Sequence, residues 1–266
     1  MEKMPQLGFP VPLLGMQPAR LPVLFDDGDL LALAKPVGVL VQEDGWYPRL
    51  PVLVEAIRHQ SHHGKGEFQR MSIGEEGLWA VTDLDPECYG PVLFARNRDT
   101  AEDLRSSLGS GDFTFTFRFL TRGKTVEVTQ ECTLPISRHR HQPRMLVSHT
   151  TGKRSTTCLE LDGPVAGCRE WTAKTTFPRR HQILLHAMEC GLPVLGDHRY
   201  ARDPLPLLSK IKRGYQPKAD LEERPLYDGP AYYLKALDLG NGKVVKGPLP
   251  PRWNGLCRQL EKHRGS

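Results

Sequence analysis

Two apolar runs, Leu78-Trp79-Ala80-Val81 and Pro91-Val92-Leu93-Phe94-Ala95, enclose the polar segment from Thr82 to Gly90. Both runs have the length and composition of buried strands. The acids between them, Asp83 and Asp85, therefore stand where an unpaired carboxylate is costly. Upstream, Leu24 to Ala34 holds two short apolar runs broken by Asp26-Asp27-Gly28-Asp29, a hairpin signal. Lys35-Pro36-Val37-Gly38 reads as the turn that follows. Leu53, Ala56 and Ile57 give the stretch Leu50 to His59 helical spacing, whereas Ser61 to Glu76 is polar and reads as a loop. Asp99 to Leu108 is a second helix, with Asp99 or Thr100 as N-cap and Gly109 just past its end.

Phe113, Phe115, Phe117 and Phe119 alternate with polar residues, which predicts a strand with one aromatic face. Further strands are expected at Thr156 to Leu161 and Trp171 to Thr176. A helix is expected through Leu184, Leu185, Ala187 and Met188, closed by Gly191. Tyr232 to Leu239, Gly240-Asn241-Gly242 and Lys243 to Val245 form a closing hairpin. Short strands outnumber helices, which argues for an α+β fold built on a mainly antiparallel mixed central sheet flanked by helices and loops.

Composition narrows the class. With 266 residues, 39% hydrophobic and 25% charged, the chain has the make-up of a soluble globular protein. A net charge of +5 permits a polyanionic partner without requiring one. The six cysteines contain no C-x-x-C pair, which excludes a zinc ribbon and favours free thiols in a reducing, cytoplasmic setting. No apolar run reaches membrane-spanning length, and the N-terminus lacks the pattern of a secretory signal, so no membrane association is expected. His59, His62 and His63 fall in the polar stretch and read as solvated rather than metal-binding. His181 and His186 are five apart, on different sides of a helix, where zinc-binding pairs use four. No metal is expected.

The order of these pieces resembles the RluA-type RNA pseudouridine synthases over residues 21 to 255. Lys35-Pro36-Val37-Gly38 matches that family's Lys-Pro-x-Gly turn. Thr82-Asp83-Leu84-Asp85-Pro86-Glu87-Cys88-Tyr89-Gly90 is similar to its central His-Arg-Leu-Asp-x-x-Thr-Ser-Gly motif. Arg179-Arg180-His181-Gln182-Ile183-Leu184-Leu185-His186, then Gly191 to Asp197 and Tyr200, matches its long late motif. Residues 1–20, rich in Pro and Gly, read as a flexible N-terminal arm, and the resemblance implies residues 21–262 as a catalytic domain of that fold.

It also implies conversion of uridine to pseudouridine in ribosomal or transfer RNA by a monomer, with no cofactor. Asp85 would be the nucleophile, which needs an ionised carboxylate in a dry pocket, and the target base would be flipped out of its stack. Three departures accompany the match. Leu184 replaces the arginine that pairs with the aspartate, Phe117 replaces a base-stacking tyrosine, and Asp83 replaces an arginine. Arg180 lies four residues before Leu184, shares its face if both are helical, and is the candidate substitute cation. Lys35, Arg138, Arg140, Arg144, Lys153, Arg154, Arg179, His181 and Gln182 are the candidate RNA contacts, through phosphate rather than base edges. The departures also admit a second reading, a catalytically silent relative that keeps the fold and binds RNA.

Overall fold

The computed structural model describes residues 4–122, 127–202, 206–212, 214–216, 223, 225–240 and 242–263. In chain order the elements begin with strands β1 (Gln6–Phe9), β2 (Ala19–Asp26) and β3 (Leu30–Lys35), then helices α1 (Leu53–His62) and α2 (Gly66–Arg70). Next come β4 (Trp79–Ala80), β5 (Gly90–Ala95), α3 (Arg98–Ser107), β6 (Thr114–Thr121), β7 (Thr129–Cys132), β8 (Ile136–Arg138) and β9 (Met145–Val147). The chain continues through β10 (Thr157–Val165), β11 (Cys168–Thr175), α4 (Gln182–Glu189), α5 (Leu208–Ile211), β12 (Tyr232–Asp238), β13 (Val244–Lys246) and α6 (Trp253–Lys262). The fold is α+β, and the strand pairs whose register is described are antiparallel, in keeping with the expected mainly antiparallel sheet.

The chain divides into two compact units. The first holds Met1–Thr114 and Leu234–Pro248, the second Phe115–Tyr233 and Leu249–Ser266. In the first, the strands run in the order β1-β2-β3-β5-β4. The central pair, β3 and β5, is buried along almost its whole length, with Leu31, Ala32, Leu33, Val92, Leu93 and Phe94 showing no exposed surface. The Asp26 to Asp29 turn is the predicted hairpin. Asp27 Oδ1 accepts the N–H groups of Asp29 at 3.2 Å and Leu30 at 2.9 Å, which pins the reversal between β2 and β3.

In the second unit β6, β11, β10 and β7 lie side by side in that order. The aromatic face of β6 forms as predicted: Phe115, Phe117 and Phe119 are buried, and Phe119 stacks on Trp171 across the register pair at 6.4 Å.

Four expectations change. Residues 6–9 are not a loose arm; they pair with β2, and Leu7 is completely buried. The stretch read as a loop after Ser61 contains the end of α1 and all of α2, whose Phe68 is packed edge-on against Phe9 at 5.8 Å. The N-cap of α3 is Asn97, whose side chain accepts the Thr100 N–H at 2.8 Å, rather than Asp99 or Thr100. Arg180 is not helical: α4 starts at Gln182, after His181 in a left-handed backbone with φ 53°, so Arg180 and Leu184 do not share a helix face. The turn residue Asn241 lies outside the described residues.

Gly90 shows why glycine ends the acidic segment. Its φ is 150°, and a Cβ there would sit 2.6 Å from the Leu234 carbonyl oxygen. On its other side Gly90 pairs with Lys35. The backbone is thus squeezed between β3 and Leu234, with no room for a side chain. Gly90→Ala is expected to lower the free energy of unfolding by about 3 kcal/mol, from strain and overpacking together. Urea unfolding of both proteins measures this, and an unchanged midpoint would contradict the close approach.

Candidate active site

The segment from Thr82 to Gly90 is a turn held by one buried cation. Lys35 has no exposed surface. Its ammonium donates to the carbonyl oxygens of Pro36 at 2.9 Å, Val39 at 2.8 Å and Pro86 at 3.4 Å. Burial pulls its pKa down to about 8, against the attraction of Cys88, Asp83, Glu87 and Asp85. Gly38, at φ 81°, donates its N–H to the same Pro86 oxygen at 2.8 Å. The Lys35-Pro36-Val37-Gly38 turn therefore grips the residue that follows Asp85. Inside the acidic segment the Asp85 carbonyl accepts the Cys88 N–H at 2.9 Å, and Asp83 Oδ1 accepts the Leu84 N–H at 2.8 Å. Leu84, Pro86 and Cys88 point inward while Asp85 and Glu87 are half-exposed. The result is a carboxylate presented from a turn whose backbone is fixed by an ammonium.

In the second unit the late motif builds a polar cluster around the start of α4. His181 is fully buried. Arg199 can only donate, so its contact with Nε2 makes that nitrogen the acceptor, at 2.5 Å. Nδ1 then carries the hydrogen and donates to the Tyr200 hydroxyl oxygen at 2.8 Å, which also accepts the Met145 N–H at 2.9 Å. Burial, followed by the positive charges of Arg199 and Arg180, drives the pKa of His181 down to about 2. Asp197 Oδ1 accepts the N–H groups of Arg199 at 2.9 Å and Tyr200 at 3.3 Å, shaping the turn that carries both side chains. Met145 opens β9, and the His139 N–H reaches the Arg144 carbonyl at 3.0 Å, so the basic loop is the tip of the β8–β9 hairpin. His181 thus ties that hairpin to α4.

Gln182 is also buried. It accepts the Arg179 N–H at 2.9 Å through Oε1, which fixes the amide orientation, and its Nε2 donates to the Thr156 carbonyl at 3.0 Å, Thr157 Oγ1 at 2.9 Å and Thr175 Oγ1 at 3.1 Å.

These geometries correct three of the expected RNA contacts. Lys35, His181 and Gln182 are enclosed and spend their polar atoms on the protein's own backbone and side chains, so they position neighbours instead of touching RNA. Arg138, Arg140, Arg144, Lys153 and Arg154 are exposed, as a phosphate-binding surface requires. Arg179 is half-exposed and donates to the Arg154 carbonyl at 3.1 Å, which joins it to that surface. Arg180 is half-exposed and Leu184 is buried. Phe117 is 2% exposed, so a base would reach its ring only after neighbouring side chains shift. Lys35 and Asp85 belong to the first unit; Phe117, the basic hairpin and the α4 cluster belong to the second.

Arg199 and Thr157 are the participants that sequence reasoning missed. Arg199 lies inside the late motif, between Asp197 and Tyr200, and that position was the available signal. No group of three or more metal-ligating side chains occurs among the described residues.

Comparison with known proteins fits this arrangement. No family model matches the chain. It is 23% identical over 190 residues to ribosomal large subunit pseudouridine synthase D of Yersinia pestis, covering 71% of this chain and 55% of that protein. It is 22% identical over 254 residues to ribosomal large subunit pseudouridine synthase D of Pasteurella multocida, covering 92% and 73%. The match thus spans little more than half the length of some curated relatives. Among solved structures, human RNA pseudouridylate synthase domain containing 4 aligns with a TM-score of 0.62 at 15% identity, over 90% of this chain and 92% of that one. Human RNA pseudouridylate synthase domain containing 1 aligns with a TM-score of 0.57 at 20% identity, over 87% and 83%.

The His181 environment predicts acid sensitivity. The unfolded chain takes up a proton on this histidine below pH 6.5, the folded chain refuses it until about pH 2, and stability falls as pH falls through that window. The His181 share of the loss between pH 6.5 and pH 5 is about 2 kcal/mol. Urea titrations at the two pH values are expected to show this share removed in His181→Gln; an identical pH slope in both proteins would contradict the assignment.

Proposed function

We propose that this chain, a divergent member of the RluA-type pseudouridine synthases, isomerises uridine to pseudouridine in structured ribosomal or transfer RNA. The relatives named for that activity and the two human folds support the class. The observation that carries the proposal is the Lys35 clamp, which fixes the Asp85 turn at the place where the resemblance puts a nucleophile.

In this account the Asp85 carboxylate attacks the nucleoside and the N-glycosidic bond breaks. The freed base turns, its C5 bonds to C1′ as the Asp85 ester bond breaks and the carboxylate is regenerated, and the C5 proton is lost to solvent while N1 takes one up. The half-exposed Arg180 supplies the positive charge that the family draws from the position of Leu184. It does so from the turn before His181, not from a helix face. The exposed arginines and lysines of the β8–β9 hairpin and of Lys153-Arg154 hold RNA phosphates, which makes binding salt-dependent without choosing a sequence. The flipped base stacks on Phe117 after local movement. Action as a monomer in the cytoplasm belongs to the same proposal; among the described residues no helix is long and apolar enough to cross a membrane.

The second reading, an RNA-binding relative without catalysis, is favoured by the buried leucine at position 184. Tritium release from RNA labelled at uridine C5 separates the two. The wild type is expected to release tritium from cellular ribosomal or transfer RNA, Asp85→Asn to lower the rate by at least about 10³-fold, and Arg180→Ala by about 10- to 100-fold. Salt-sensitive RNA binding persists in Asp85→Asn. No release by the wild type from any cellular RNA would sink the enzymatic reading and leave the binding one.

A further inference from the structure

Phe177 lies in the turn between β11 and α4 and is 39% exposed. No other phenylalanine, tyrosine or tryptophan among the described residues is as open to solvent. A single exposed apolar side chain is ordinary on a protein surface. What sets this ring apart is how firmly its backbone is held and which charges stand next to it.

The backbone is anchored on both sides of the ring. Pro178 follows Phe177 and confines its backbone to extended conformations. The buried Gln182 grips both ends of the short segment. Its Nε2 donates to Thr175 Oγ1 at 3.1 Å, and its Oε1 accepts the Arg179 N–H at 2.9 Å. The Gln182 N–H in turn donates to the Arg179 carbonyl at 3.0 Å. The ring therefore projects into water from a fixed platform, and little ordering entropy is left for a ligand to overcome.

The neighbouring charges are positive. The Arg179 guanidinium carbon lies 5.4 Å from the centre of the Phe177 ring, within cation–π range. Arg179 Nε donates to the Arg154 carbonyl at 3.1 Å, which keeps the guanidinium over that face of the ring. Arg154, with Lys153 before it, is exposed. Phe177 thus stands at the edge of the basic surface to which RNA phosphates are assigned above. An anchored aromatic ring beside backbone-tracking cations is the arrangement that holds single-stranded nucleic acid: the cations take phosphates and the ring takes the face of a base. A base inside an A-form helix has both faces covered by its stacked neighbours, so only an unpaired base can use such a ring.

We propose that Phe177, backed by Arg179, is a stacking subsite for the base of an unpaired nucleotide in the bound RNA, other than the uridine that is isomerised. The inference rests on the reading that RNA is the partner and deepens it. Arg179 holds one face of the ring, the base lies on the open face, and Lys153 and Arg154 take flanking phosphates. Every base has a π face, so the subsite favours unpaired over paired nucleotides without choosing a sequence.

The full-length chain is titrated with a stem–loop RNA whose loop is uridine, and with the same stem–loop carrying abasic residues in the loop. The two RNAs present the same phosphates and differ only in the loop bases. Phe177→Ala is expected to weaken binding of the uridine-loop RNA about 5- to 100-fold, to change abasic-loop binding by less than about twofold, and to keep the slope of log K against log salt. Arg154→Ala is expected to weaken both RNAs alike and to reduce that slope by about one. Phe177→Trp is expected to keep the affinity and to add indole emission that the uridine loop quenches and the abasic loop does not. Equal losses on the two RNAs in Phe177→Ala would overturn the proposal, because the ring would then serve only to prop Arg179. Unchanged affinity in Phe177→Ala, or no quenching in Phe177→Trp, would also overturn it, while salt-dependent binding by the wild type leaves the RNA reading standing. No salt-dependent binding of either RNA by the wild type would remove that reading and the subsite with it.

Discussion

An ammonium with no access to water organises the first unit. Burying a lysine costs several kcal/mol unless its three hydrogens are used, and Lys35 uses them on backbone carbonyls from two segments distant in sequence. Two of those carbonyls belong to the turn that follows Lys35 itself, and the third belongs to Pro86. The arrangement closes only if β3 and β5 pair so that Lys35 faces Gly90, and only if Gly90 has no side chain. Strand register, the glycine and the acidic turn are therefore consequences of one placement of charge.

The second unit uses a different device for the same end. Imidazoles, an amide and hydroxyl groups form chains in which each donor fixes the next. Arg199 decides the tautomer of His181, Arg179 decides the orientation of Gln182, and the Leu134 carbonyl, which can only accept, puts a ring hydrogen of His186 on Nε2. Such networks hold geometry well because each member left unpaired would cost its full desolvation. Here they join the basic hairpin, β10 and both ends of α4.

Much of this was legible in the chain. Period-two alternation at Phe115, Phe117 and Phe119 gave a strand with a buried aromatic face, and Asp26 to Asp29 gave a hairpin. Motif order located the acidic turn and the α4 cluster. What the sequence hid is which polar residues are inside. Lys35, His181 and Gln182 read as RNA contacts because charge and polarity ordinarily mean surface, and only the three-dimensional partners reverse that. Arg180 was misplaced on a helix because nothing in Arg-His-Gln announces a left-handed His181. Strand β1 and helix α2 are too short for periodicity to declare them and exist through their packing on β2 and Phe9.

The central claim is that Lys35 fixes the turn that presents Asp85. Amide hydrogen exchange in the wild type and in Lys35→Met, which keeps the stem and removes the ammonium, tests it most directly. Loss of the clamp is expected to speed exchange at Gly38 and across residues 84–90 by at least about tenfold, while the β2–β3 pairing keeps its protection. Unchanged exchange across that turn in the folded variant would contradict the claim.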